Sequence, residues 1–245
     1  LTDNSAYDTD PAWSPDGSKI TFSSNRSGDG FDAKEIYMME ADGSNIQRLT
    51  DNSVEDADPV WSPDGSKIAF SSELDDDHPE IYLMNPDGTD IQEVTSGRFG
   101  GRFEPAWSPS SDRIAFSADD ANSGDDSDLF SIRPDGSDRQ SIIGEGDAIR
   151  HNDEDPAWKP DGSRIAFNSN RRGGDNISRI YTVNPDGSDL QQVTEQGGFH
   201  PSWKPDGSRI LYVSDGNLYT IKLDGMDQTQ ITDSEDLDSS PDWRP

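Results

Sequence analysis

The sequence has no cysteine. Disulfides, thiolate metal centres, cysteine nucleophiles and iron–sulfur clusters are therefore excluded, and redox chemistry gives no clue to its compartment. Basic residues are scarce: 20 Lys and Arg stand against 50 Asp and Glu, a formal net charge of −30. A nucleic-acid binder neutralises phosphates with a basic surface, and a peripheral membrane protein needs basic or lipidated contacts with anionic lipid. This composition supplies neither, so cations or basic surfaces are the expected partners. No apolar run approaches the roughly 18 to 20 residues of a membrane span. The opening Leu1-Thr2-Asp3-Asn4 is not a signal peptide, although a removed leader is compatible with it. Hydrophobic residues make up only 29% of the chain, a level at which many chains of this charge stay disordered.

What is present is a repeat. Trp13, Trp61, Trp107, Trp158, Trp203 and Trp243 follow one another at intervals of 48, 46, 51, 45 and 40 residues. Self-similarity at this period marks a repeat architecture. A proline stands two residues before each: Pro11, Pro59, Pro105, Pro156, Pro201 and Pro241. Ser-Pro-Asp-Gly-Ser or Lys-Pro-Asp-Gly-Ser follows four of the tryptophans, and Ser108-Pro109-Ser110-Ser111-Asp112 is a degenerate fifth copy. Proline presets φ and glycine accepts φ > 0, so these segments read as hairpin turns.

Alternating runs follow each turn, at 19–24, 67–72, 113–118, 164–169 and 209–214. A third strand is expected at 35–40, 80–85, 128–133, 179–184 and 217–222, and an Asp-Gly turn then leads to a short fourth strand such as Gln47 to Thr50 or Gln191 to Thr194. Each repeat is thus a four-stranded antiparallel meander. One meander cannot bury both faces, but radial stacking gives every sheet two neighbours, which predicts an all-β propeller with very little helix. The six tryptophans and the aromatic columns Phe22, Phe70, Phe116, Phe167, Tyr212 and Tyr37, Tyr82, Phe130, Tyr181, Tyr219 read as inter-blade core.

The unit Asp-x-x-Pro-x-Trp-Ser-Pro-Asp-Gly-x-x-Ile-Ala-Phe-x-Ser, with its later Ile-Tyr, Asp-Gly and Leu-Thr, resembles the WD40-like PD40 repeat of TolB-type propellers over essentially the whole chain. The resemblance implies one β-propeller domain over 1–245, with repeats near 1–48, 49–93, 94–141, 142–192 and 193–230 and a partial sixth at 231–245. Closing that sixth blade needs about 30 more residues at this repeat length. Either the chain is an excerpt of a longer protein with six or more blades, six being preferred, or it closes with five blades and leaves short tails; the excerpt is the favoured expectation. Function is less specified, because similar propellers occur in a periplasmic envelope protein, in non-catalytic domains of prolyl-oligopeptidase-type peptidases, in tricorn proteases and in oligogalacturonate lyases.

In a propeller the first strand of each blade lines the channel. Three residues before each tryptophan stand Asp10, Asp58, Glu104, Asp155, His200 and Ser240, and five before it Asp8, Asp56, Arg102, Asp153, Gly198 and Asp238. Four carboxylates and one imidazole are expected to converge at one channel mouth, with more carboxylates just outside and His151 close to His200. Two roles are open for them. One is structural, the carboxylates accepting backbone N–H bonds as Asx turns do, and it is preferred because the resembled pattern includes the aspartate. The other is a metal site at Asp10, Asp58, Glu104, Asp155 and His200, for Ca²⁺ or another divalent cation.

The loops between second and third strands share that face and are mostly acidic, densest at Asp75-Asp76-Asp77-His78 and Asp119 to Asp128. No Gly-x-Ser-x-Gly, His-Glu-x-x-His, P-loop or Gly-x-Gly-x-x-Gly occurs, so the chain is not expected to be an enzyme by itself. The composition resembles that of proteins from salt-loving organisms or of surface proteins bathed in divalent cations. The preferred reading is a non-catalytic scaffold, periplasmic, secreted or at the cell surface, binding a protein or cell-envelope partner through its acidic loops. The alternatives are the substrate-gating propeller of a larger peptidase and a self-associating subunit of an extracellular assembly.

Overall fold

A computed structural model describes residues 2, 4–27, 34–74, 78–96, 104–119, 127–144, 151–171, 177–233 and 241–243. Among them the repeat becomes five four-stranded antiparallel sheets, each in sequence order from the channel outward, with no helix. The first blade holds β1 (Asp8–Trp13), β2 (Lys19–Ser24), β3 (Glu35–Glu40) and β4 (Gln47–Arg48). The second holds β5 (Asp56–Trp61), β6 (Ile68–Ser72), β7 (Glu80–Met84) and β8 (Gln92–Glu93). The third holds β9 (Ala106–Trp107), β10 (Ile114–Asp119), β11 (Ser127–Ile132) and β12 (Gln140–Ile143). The fourth holds β13 (Asp153–Trp158), β14 (Ile165–Ser169), β15 (Arg179–Val183) and β16 (Gln191–Gln192). The fifth holds β17 (Phe199–Trp203), β18 (Ile210–Ser214), β19 (Asn217–Ile221) and β20 (Thr229–Gln230).

Inner strands lie across the preceding sheet: β5 against β1, β2 and β3, β13 against β9, β10 and β11, and β17 against β13, β14 and β15. The apolar core therefore sits between blades rather than within one. Ile36 and Met38 of the first blade pack with Trp61, Ile68, Phe70, Tyr82 and Met84 of the second. The two aromatic columns face each other in register across the second and third strands. Phe22–Tyr37, Phe70–Tyr82, Phe116–Phe130, Phe167–Tyr181 and Tyr212–Tyr219 have ring centroids 5.8 or 5.9 Å apart, the separation at which aromatic pairs attract. The Trp107 and Trp203 indoles donate to the carbonyls of Val60 and Ala157 in the preceding blades, at 3.3 and 3.1 Å.

Part of the acid excess is turn chemistry. The Asp16 carboxylate accepts from the Ser14 hydroxyl and from both the hydroxyl and N–H of Ser18, and these bonds pull its pKa down to about 2. Asp64 and Asp161 repeat the motif. The second Asp-Gly turn rests on the preceding blade, where a Cβ on Gly88 (φ +81°) would lie 2.6 Å from the backbone oxygen of Leu49. Only glycine accepts both that approach and that φ. Residues 241–243 reach the first blade, the Asp242 carboxylate accepting the N–H of Trp13 at 3.2 Å.

Candidate functional site

Every blade places a proline on or immediately before its inner strand, and proline supplies no N–H to the ladder. The register with the second strand breaks there, between Thr9 and Ala12, Ala57 and Val60, Glu154 and Ala157, and Phe199 and Ser202. The residue before the proline takes up the irregularity in the left-handed region: Asp10 (φ 53°), Asp58 (52°), Asp155 (55°) and His200 (49°). Asp and His tolerate this region better than most residues, though each such position costs roughly 1–3 kcal/mol and persists only where the surroundings hold it. The bulges aim these side chains at the propeller axis.

Asp10, Asp58, Glu104, Asp155 and His200 there line one cavity of about 380 Å³, whose other walls are the prolines, the residues that follow them and the edges of Trp61, Trp107, Trp158 and Trp203. Ser71 donates to Asp58 at 3.0 Å and Ser117 to Glu104 at 2.7 Å. The N–H of Asp155 donates to Glu104 across the blade boundary at 3.1 Å, and His200 Nδ1 lies 3.1 Å from Asp155 Oδ1. Burial, with the Asp10 charge and then that of Asp155, pushes Asp58 up to about 7. Burial and the neighbouring Asp155 and Asp58 hold Glu104 well above the usual carboxylate range. The hydrogen bond to Asp155 raises His200 against the effect of burial, with Asp10 and Asp58 adding to it. Asp58 and Glu104 are thus held towards their protonated forms unless a cation offsets the neighbouring charge, and the oxygen donors suit a hard divalent ion or an organic ammonium.

Two expectations need correction. Asp8, Asp56 and Asp153, expected just outside the ring, turn into the blades. Asp8 accepts from Ser24 and Arg26 at 2.6 and 2.8 Å, Asp56 from Asn52 at 2.7 Å, and Asp153 from Arg171. The bulge between these positions and the ring breaks the two-residue period that would have put both sets on one face. His151 does not join His200 either: it is buried beside Asp153 and Asp128. His78 is exposed in the second blade's loop. The acidic stretches 75–77 and 120–126, and Arg98, Arg102, Arg150 and Arg172, lie outside the described residues.

Sequence reasoning missed the charged residues at the start of the third strands. Glu35, Glu80, Asp128 and Arg179 are all at most 5% exposed. Glu35 meets Asp56 of the next blade, Asn52 donating its N–H to Glu35 at 2.9 Å and its amide to Asp56 at 2.7 Å. Asp128 likewise meets Asp153, and with His151 these offer ligand atoms within 4.8 Å of one another. The available signal was a column of charge in front of the Ile-Tyr strands.

The family model for the PD40 TolB β-propeller domain matches residues 96–245. Among solved structures the chain is similar to a protein from Agrobacterium tumefaciens assigned to TolB, with 21% identity and a TM-score of 0.75 over 93% of this chain and 81% of that one. It is similar to TolB from Acinetobacter baumannii at 19% identity and a TM-score of 0.81, with 98% of this chain spanning 58% of that protein. An oligogalacturonate lyase in complex with manganese matches at 16% identity and a TM-score of 0.63, over 90% of this chain and 64% of the lyase.

Proposed function

The chain belongs to the PD40 TolB β-propeller domain family, and from that premise we propose that it is a non-catalytic scaffold binding a basic protein or cell-envelope partner at its acidic channel mouth. The channel-mouth residues Asp10, Asp58, Glu104, Asp155 and His200 also serve as the site of a divalent cation, Ca²⁺ by its oxygen donors. The observation that carries this reading is the convergence of those five side chains on one open cavity with apolar walls. A lysine or arginine fits such a cavity by burying its methylene stem against proline and alanine while its charge meets the carboxylates. The location is outside the cytoplasm, as for the envelope proteins of the family. Lyase chemistry has less support: among the described residues His78 is exposed, His151 is buried between blades and His200 alone faces the channel.

Selection of a displayed random-peptide library on the immobilised chain tests the proposal. Lysine- and arginine-rich peptides are expected to be enriched on the unaltered protein and lost when Glu104→Gln and Asp155→Asn are combined. Added Ca²⁺ is expected to weaken the selection, because ion and side chain compete for the same oxygens. Enrichment indifferent to the paired substitution would place binding away from the channel mouth.

A further inference from the structure

We propose that the buried junction between the third and fourth blades is a second, separate metal site, in which Asp128, His151 and Asp153 bind a first-row divalent ion such as Zn²⁺. Asp128 is the second residue of β11, Asp153 opens β13 and His151 stands two residues before it, so the ion would join neighbouring blades. All three are at most 5% exposed, and one ligand atom from each lies within 4.8 Å of the others. Two carboxylates with one imidazole are a donor set for zinc or manganese rather than the all-oxygen set that Ca²⁺ prefers.

A second observation points to a ligand. Asp153 is fully buried, and while its Oδ2 accepts from Arg171, its Oδ1 has no hydrogen-bond partner. Buried carboxylate oxygens are rarely left so, because an unmade bond to a charged group is costly. His151 Nε2 is 3.4 Å from Asp153 Oδ2 and 3.4 Å from the Arg171 guanidinium.

The repeat supplies an internal control. In the first blade Asp8 is held by Ser24 and Arg26, with Ala6 where His151 stands. Asp153 has the same arginine support from Arg171, which binds Ser169 and lies over the Phe167 and Tyr181 rings. At the junction of the first two blades, Glu35 and Asp56 repeat the acid pair with Val54 in the histidine position, and Asp56 again keeps Oδ1 unpartnered. The blade architecture thus forms without an imidazole, and the third junction adds one beside two carboxylates. Gly144 (φ +107°) leaves the space that the Asp128 carboxylate fills, since a Cβ there would overlap it.

Titration of the chelator-stripped full chain with Co²⁺, read by its visible absorption and by Zn²⁺ competition, tests the site. One Co²⁺ per chain, displaced by Zn²⁺, is expected. His151→Gln and Asp128→Asn should each weaken it at least about tenfold, the loss typical of disturbing a metal's ligand shell. Asp58→Asn, in the channel ring, should leave it unchanged, so failure here and failure of the channel-mouth reading are separable. Absence of Co²⁺ binding, equal affinity in His151→Gln, or loss in Asp58→Asn overturns the proposal. Should the junction variants fail to fold, Mn²⁺ added to the unaltered chain decides by NMR. First broadening at the amides of Asp128, His151 and Asp153 supports the site. First broadening at Asp58, Asp155 and His200, or none, overturns it.

Discussion

Replacing Trp107 with alanine is expected to lower the unfolding free energy by about 3 to 5 kcal/mol, the range for deleting a large aromatic from a core. The indole is 7% exposed and belongs to one core cluster with Ala69, Ile81, Leu83 and Val94 of the second blade and Ile114, Phe116, Phe130 and Ile132 of its own. Its Nε1 donates to Val60 across the same boundary, so truncation also removes that bond. That cluster spans the boundary between the second and third blades, so collapse around the vacancy would have to displace two blades together. Equilibrium unfolding in urea checks the expectation, and a loss under about 1 kcal/mol would place the indole outside the core.

The second large effect is one of pH. Burial raises Asp56 from 3.8 to about 6, against hydrogen bonds that include the Asn52 amide, with the neighbouring Glu35 charge adding to the rise. The folded chain therefore holds this proton more tightly than the unfolded chain. The group's favourable contribution is complete below about pH 4, declines as pH rises, and is gone above about pH 6; the total of some two pKa units corresponds to about 3 kcal/mol. Asp56→Asn, which keeps the shape and removes the charge, is expected to be more stable than the unaltered chain by up to about 3 kcal/mol at pH 8 and nearly equal to it at pH 4. Melting curves of both proteins across that interval test this. Equal stability at pH 8 would mean that Asp56 ionises in the folded chain without penalty.

The sequence made the blades legible because proline, tryptophan and Asp-Gly recur at fixed offsets, and each has one local consequence. Proline and tryptophan set the inner strand, and Asp-Gly the turns. The strands accordingly fall within one or two residues of expectation, as with β2 at Lys19–Ser24 and β6 at Ile68–Ser72. The channel ring was equally legible in composition, since the residue before each proline must occupy equivalent places in all blades. The left-handed bulge at that residue was not. Asp8, Asp56 and Asp153 were expected just outside the ring, whereas the bulge turns them into the blades. His151 was misplaced for the same reason, its position depending on the Asp153 that it accompanies. The burial of Glu35 and Asp128 depends on how one blade lies over the next, which the pattern within a single repeat does not encode.

The Asp-Gly turns have a consequence for how the protein ages. Aspartyl-glycine bonds isomerise when the glycine nitrogen attacks a protonated aspartyl carboxyl to form a succinimide. Folding opposes both requirements. The Gly17 and Gly88 N–H groups are engaged by the carbonyls of Ser14 and Asn85, and Gly43, Gly65, Gly136, Gly162, Gly187, Gly207 and Gly225 are held in the same way. The preceding carboxylates, such as Asp16, Asp64 and Asp186, are kept ionised by the hydroxyl and N–H donors around them. Isoaspartate found by peptide mapping after long storage is therefore expected to track the time each blade spends open, and equal accumulation in folded and urea-unfolded chain would deny that protection. These nine turns, held in this way among the described residues, then act as chemical clocks that record where the blades open.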